Sequence, residues 1–191
     1  MKLTIILDPA HGQDVAGKRS PDGTHREYLW SRERCKSIES KLIKLGYTVL
    51  WTTKDLNEPG LGVRIISEHN LSQGKNALLI SLHNDAYTDN WSDAHGYSVY
   101  TSPGKTKSDE FAQILINELK SKFPELTLRK DESDGDLDKE ENFAMVKKTN
   151  CPSVLIEWLF QSNKKEVLLL ADKIYNEKFE QCIIDSILKW K

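Results

Sequence analysis

Short apolar runs separated by polar turns divide the chain, and a period of two alternates with a period near 3.6 along it. Residues 3–7 form an apolar run of strand length, ended at Asp8-Pro9 because proline cannot donate to a sheet ladder. The polar stretch 12–26, with Gly17, Pro21 and Gly23, reads as a loop. Over 27–45 apolar residues recur at helical spacing (Leu29, Trp30, Ile38, Leu42, Leu45), and Gly46 offers the left-handed stop that helix ends favour. A strand over 47–52, a turn over 54–60 and a helix over 61–71 follow, the helix with Val63, Ile65 and Ile66 inward. Residues 77–82 are the most apolar strand candidate and therefore the central one, closed by His83-Asn84-Asp85.

Farther on, 96–101 alternates as a strand nearer an edge, and 107–123 is a helix with Phe111, Ile114, Leu115, Leu119 and Phe123 on one face. Pro124 stops that helix. The acidic stretch 129–142 reads as a solvated loop, and 143–148 as a short helix or extended turn. A last strand covers 153–156 and ends at Glu157. One long helix over 163–190 completes the chain, with Leu168, Leu169, Ile174, Phe179, Ile183 and Ile187 as core candidates. Strands alternating with helices predict an α/β fold: a mostly parallel, mixed twisted sheet with helices on both faces. Residues 1–191 are expected to form a single domain.

Composition narrows the classes. Hydrophobic residues at 38% and charged residues at 29% describe a folded globular chain. A formal charge of −2 argues against nucleic acid as a partner. No apolar run approaches the roughly 18 residues that membrane insertion requires. Cys35, Cys151 and Cys182 are odd in number and lack a Cys-x-x-Cys pair, so they are expected as small core residues in a reducing compartment. Met1-Lys2 precedes only a short apolar run that Asp8 interrupts, which is not the pattern of a secretory signal. Synthesis in the cytoplasm and a monomeric state are the expectations.

Four chemistry-bearing residues lie at predicted element boundaries. His11 follows the first strand, His83 the central one, Glu157 ends the last, and Glu27 opens the first long helix. Parallel neighbouring strands would bring His11, His83 and Glu157 to one rim, where open α/β sheets put their ligands. Glu27 joins them if the loop 12–26 folds back. Two imidazoles and a carboxylate suit a catalytic zinc, with a further carboxylate as base. Each residue also has an ordinary reading: a strand-end histidine hydrogen-bonded in a loop, or a glutamate complementing a helix dipole. Glu157, between Val154-Leu155-Ile156 and Trp158-Leu159-Phe160, is the hardest to explain that way, since an unpaired carboxylate there is costly. His25, two residues before Glu27, is a rival ligand, whereas His69 and His95 lack strand-end placement. The alternating Asp134, Asp136 and Asp138 fail as a calcium loop, because Lys139 and Met145 stand where glycine and glutamate are needed.

Four separated blocks then agree in order with one family. Ile6-Leu7-Asp8-Pro9-Ala10-His11-Gly12, Arg26-Glu27, Ser81-Leu82-His83-Asn84-Asp85 and Ile156-Glu157-Trp158-Leu159-Phe160-Gln161-Ser162-Asn163 resemble the zinc-dependent N-acetylmuramoyl-L-alanine amidases of type 3. Val63-Arg64 with Asn70 resembles that family's arginine-plus-asparagine helix. The resemblance implies a Zn2+ ion held by His11, Glu27 and His83, with Glu157 as catalytic carboxylate. It also implies hydrolysis of the amide between N-acetylmuramic acid and L-alanine in peptidoglycan. Asp8, Arg64 and Asn84 are expected behind the ligands, Asp8 either orienting an imidazole or capping a turn. Departures are Pro9-Ala10 before the first histidine, Asp85 in place of asparagine, and Trp158-Leu159 where the family has a residue followed by glycine. The implied protein is one catalytic domain with no separate wall-binding domain, reaching the wall by phage-type, endolysin-like release. Rival readings are another zinc-dependent peptidoglycan hydrolase (carboxypeptidase or deacetylase) and a non-catalytic wall-binding module.

Overall fold

The computed structural model describes residues 2–190; Met1, part of the amino-terminal reading above, and Lys191 lie outside the described residues. In chain order the elements are β1 (Thr4–Pro9), α1 (Glu27–Lys44), β2 (Thr48–Trp51), α2 (Leu61–Ser72), β3 (Ala77–Asp85) and β4 (Tyr97–Thr101). There follow α3 (Lys107–Lys122), β5 (Lys139–Glu140), α4 (Ala144–Lys147), β6 (Ser153–Phe160), α5 (Lys164–Ala171) and α6 (Lys173–Lys189).

Six strands form one sheet in the order β2-β1-β3-β6-β4-β5. The β1–β2, β1–β3 and β3–β6 pairs are parallel, as expected for strands joined by helical crossovers, and β4 runs antiparallel to β6. The sheet is thus mostly parallel and mixed, with β3 and β6 buried at its centre.

Alternation along the strands sorts side chains between two unequal layers. Ile5, Leu7, Leu78, Ile80, Val154 and Ile156 enter the larger core, built with α1, α3 and α6. Ile6 and Leu79 enter a smaller cluster with Met145 of α4 and Ile65 of α2. Continuing the same alternation toward the strands' carboxyl ends, Asp8, Ser81, His83 and Glu157 fall on the side of the smaller layer. The larger layer anchors the sheet; the thinner one leaves room for a polar site.

Several sequence expectations need correction. Residues 163–190 are not one helix: Asp172 is extended (φ −76°, ψ 121°) and its carboxylate accepts from the Tyr175 N–H at 2.7 Å, so it ends α5 and caps α6. That break turns Leu168 and Ile174 out to solvent, at 72% and 77% exposure. Of the apolar set on α1, Trp30, Ile38 and Leu42 are buried as expected, whereas Leu29 and Leu45 are exposed and the helix also buries the polar Ser31 and Arg32. On α2 the buried positions are Arg64, Glu68 and Ser72, while Val63 and Ile66 face water. Hydrophobic spacing misleads there because the helix turns a polar stripe toward a polar region of the sheet. Within the acidic stretch 129–142, Asp138 is buried and Lys139–Glu140 pairs with β4, so this stretch is not wholly a solvated loop, while β4, expected nearer an edge, lies next to the outermost strand. Cys35 and Cys182 are buried and unoxidised, as expected of small core residues.

Candidate active site

Glu27 is the hub. Its carboxylate is almost fully buried, and Oε1 lies 3.0 Å from His83 Nδ1 and 3.5 Å from His11 Nε2. Donor atoms of His11, Glu27 and His83 all fall within 4.8 Å of one another, and the two imidazoles meet edge to face with centroids 5.0 Å apart. Three elements supply them: the end of β1, the start of α1 and the carboxyl part of β3. The loop 12–26 folds back, as it must to bring Glu27 to the rim, because the Glu27 N–H donates to Lys18 O and the Ser20 N–H to His25 O.

Charge in this cluster is tightly balanced. Burial alone would raise Glu27, but the His83 hydrogen bond and the charges of both histidines bring its pKa down to about 2. Burial lowers His11 to about 4 against the pull of Glu27, leaving a neutral imidazole of the kind that ligates metals. His83 is held above its usual value because Glu27 and Glu157 outweigh its burial. A buried carboxylate facing two imidazole nitrogens is a donor set that fits a divalent cation, which would displace the proton that His83 Nδ1 shares with Glu27. Glu27 is further oriented by the Asn84 N–H at 3.1 Å and by Gln161 Nε2 at 3.0 Å on its other oxygen.

Glu157 is not at a strand end; it sits inside β6, directly opposite His83 in the parallel β3–β6 register. Burial pushes its pKa up to about 8, against the charge of His83 and with that of Glu27. Its Oε2 is buried and has no hydrogen-bond partner. Two residues later Leu159 adopts φ 60°, the left-handed region, at the position where the family resemblance calls for glycine. The register with β3 shifts around it, between Glu157 and Phe160, and Asn84 Nδ2 holds the Trp158 carbonyl at 2.6 Å.

Of the residues expected behind the ligands, Arg64 and Asn84 lie there, on the His11 carbonyl and the Glu27 carboxylate, whereas Asp8 orients no imidazole. Asp8 touches no imidazole: its oxygens accept from Thr52 (2.5 Å), Arg64 (2.9 Å) and Ser81 (2.6 Å). Arg64 bonds Asp8 and Glu58 with its guanidinium and also reaches the carbonyls of Pro9 and His11. Arg32, which sequence reasoning did not single out, donates to Ala10 O at 2.9 Å, and Ser31 Oγ accepts from the Ala10 N–H at 2.7 Å. Three successive carbonyls are therefore held by arginines from α1 and α2, and His11 is kept at φ 42°, a conformation costly for a non-glycine residue. Gln161 was also missed, although it stands in the quoted carboxyl-terminal block. His25 is not brought into the cluster, since its Nε2 pairs with Asn84 Oδ1 at 2.8 Å. His69 contacts the Lys148 carbonyl and His95 is exposed, as expected.

A buried two-histidine, one-glutamate cluster at the rim of a mixed α/β sheet, faced by a second carboxylate of raised proton affinity, could hold a metal ion of the kind that metal-dependent hydrolases use. Residues 5–189 match the N-acetylmuramoyl-L-alanine amidase family (Amidase_3), and the chain belongs to it. A probable cell wall amidase LytH of Staphylococcus epidermidis is 28% identical over 188 residues, covering 98% of this chain and 58% of the relative. The Staphylococcus saprophyticus LytH is 29% identical over 187 residues, covering 96% and 57%. The chain thus spans somewhat over half the length of the curated relatives it matches. Among solved structures, the catalytic domain of CwlV, an N-acetylmuramoyl-L-alanine amidase from Bacillus (Paenibacillus) polymyxa, superposes with a TM-score of 0.83 at 25% identity, covering all of both chains. The N-acetylmuramoyl-L-alanine amidase of Clostridium difficile 630 gives 0.85 at 24% identity, covering 99% of this chain and 96% of that one, and shares the fold.

Proposed function

We propose that this chain is a zinc-dependent N-acetylmuramoyl-L-alanine amidase, hydrolysing the amide between the lactyl group of N-acetylmuramic acid and L-alanine in peptidoglycan. The observation that carries the reading is the meeting of His11, Glu27 and His83 beside Glu157, in a chain that matches the amidase family from residue 5 to 189.

His11, Glu27 and His83 would hold the metal. Zinc bound there supplies Lewis acidity, which polarises an amide carbonyl and acidifies water to a pKa of roughly 7. Amide hydrolysis has a second difficulty: the leaving amine must gain a proton. Glu157 answers it. Its unpartnered Oε2 takes a proton from the attacking water and returns it to the amine nitrogen, a relay worth roughly 10²–10⁴-fold. Burial, reinforced by the charge of Glu27 and opposed by that of His83, gives the carboxyl the proton affinity that such a shuttle requires. His11 stays neutral and keeps its electron pair for the metal. Gln161 and Asn84 hold the Glu27 carboxylate in one orientation, while Arg64 and Arg32 hold the backbone that carries His11.

Mass spectrometry of peptidoglycan digested by the purified protein tests the reading. The expected products are intact stem peptides with new L-alanine amino termini, lost on EDTA treatment and restored by zinc. Release of free D-alanine or acetate instead would point to a carboxypeptidase or deacetylase. Binding to walls without any product would point to a binding module.

A further inference from the structure

We infer that Lys18, Arg19 and Arg26 form an anion subsite beside the reaction centre, built to take the free α-carboxylate of the second residue of the substrate's peptide stem. The inference deepens the amidase reading and rests on it for the identity of the ligand.

The loop 12–26 doubles back so that Arg19 and Arg26 lie directly opposite each other in an antiparallel bridge. Like charges in directly opposed positions destabilise such a pair. Neither residue is relieved by an acid: among the described residues Lys18, Arg19 and Arg26 enter no ion pair. In a chain of net charge −2, three unpaired cations within nine positions are a local excess. They also enclose space. Lys18, Arg19, Arg26 and Tyr28 line a cavity of about 230 Å³ together with Asp14 and Val15. Asp14, the one acid in that lining, has an oxygen committed to the Glu58 N–H at 2.7 Å.

The cavity adjoins the chemistry. Val15 is also in the wall of a second cavity of about 210 Å³, lined by His11, His83, Glu58 and Arg64. The Lys18 carbonyl accepts from the Glu27 N–H, and the Lys18 charge is felt at both His11 and Glu157. A substrate whose scissile amide sits at the histidines has L-alanine next in line, followed by stem residues that carry the peptide's carboxylates. A guanidinium matches a carboxylate by two parallel hydrogen bonds, and converting that carboxylate to a carboxamide removes the match.

The test uses product peptides, which bind without turning over. L-Alanyl-γ-D-glutamyl-L-lysine and its counterpart with a carboxamide on the second residue are titrated calorimetrically into the zinc-loaded full chain. The free acid is expected to bind about tenfold tighter, the size of one charge-assisted hydrogen bond. Added salt should shrink that ratio in the unaltered protein, and Lys18→Gln with Arg19→Gln should bring it close to one. Equal affinity for the two peptides, or a ratio that survives both substitutions, would overturn the subsite. Hydrolysis of the matching muramoyl peptides is read separately. Preference without hydrolysis sinks the amidase reading and leaves the subsite; hydrolysis without preference does the reverse.

Discussion

His83 and Glu157 stand opposite each other in the parallel register of β3 and β6 and project from the same face of the sheet. The imidazole is also bonded to Glu27, whereas Glu157 Oε2 has no hydrogen-bond partner. One of these neighbours is therefore suited to holding a metal and the other to moving a proton.

Substitution should separate the two roles. Glu157→Gln is expected to lower turnover by roughly 10²–10⁴-fold while bound zinc stays near one per chain. His83→Ala is expected to lose metal and turnover together. Zinc content by atomic emission, measured alongside muropeptide release, reads both; full activity in Glu157→Gln would remove Glu157 from the mechanism.

Gln161 donates to the Glu27 oxygen that faces away from the histidines, at 3.0 Å. Gln161→Ala should weaken zinc binding by roughly 10–100-fold, as loss of a ligand-orienting group does elsewhere. Competition with a chromogenic chelator measures it. An unchanged zinc affinity would show that the Asn84 N–H orients Glu27 alone.

Leu159 is fully buried yet left-handed at φ 60°. Truncation to alanine loses the packing and keeps the strain, because alanine disfavours this region as leucine does. Truncation to glycine loses the packing and releases the strain. Leu159→Ala should accordingly be less stable than Leu159→Gly by about 1 kcal/mol, against the usual order of these residues in a strand. Urea unfolding of both variants decides it, and the reverse ranking would count against stored strain next to Glu157.

Asp138 is buried against Thr101, whose hydroxyl donates to it at 2.6 Å. Burial raises its pKa from 3.8 to about 7, with the Thr101 bond opposing and Asp136 reinforcing. The folded protein thus holds this proton more tightly than the unfolded chain. The resulting stabilisation is complete below about pH 4 and is lost as pH climbs to about 7. Melting temperature should fall between about pH 4 and pH 7, and by less in Asp138→Asn, which keeps an acceptor for Thr101 without the charge. Equal declines in both proteins would contradict the assignment.

The sequence by itself determined five of the six strands, though β5 lies in the stretch read as a loop and β6 runs past Glu157. An apolar run broken by Asp8-Pro9, another followed by His83, and a carboxylate set between Ile156 and Trp158 are local patterns, and local patterns report burial and strand direction. The family blocks added which carboxylate joins the histidines. Tertiary structure decided what depends on partners distant in the chain. The fully buried positions of α2 are polar because Arg64 meets Asp8, 56 residues earlier, so of the apolar residues expected inward only Ile65 packs against the sheet. The carboxylate of Asp8 is consumed by Thr52, Ser81 and Arg64 rather than by an imidazole, and Asn84 occupies His25. Asp172 divides the final helix because its own side chain caps the next one. Periodicity records whether a position is buried, but the partner of a buried polar group is set by crossovers that bring remote segments side by side.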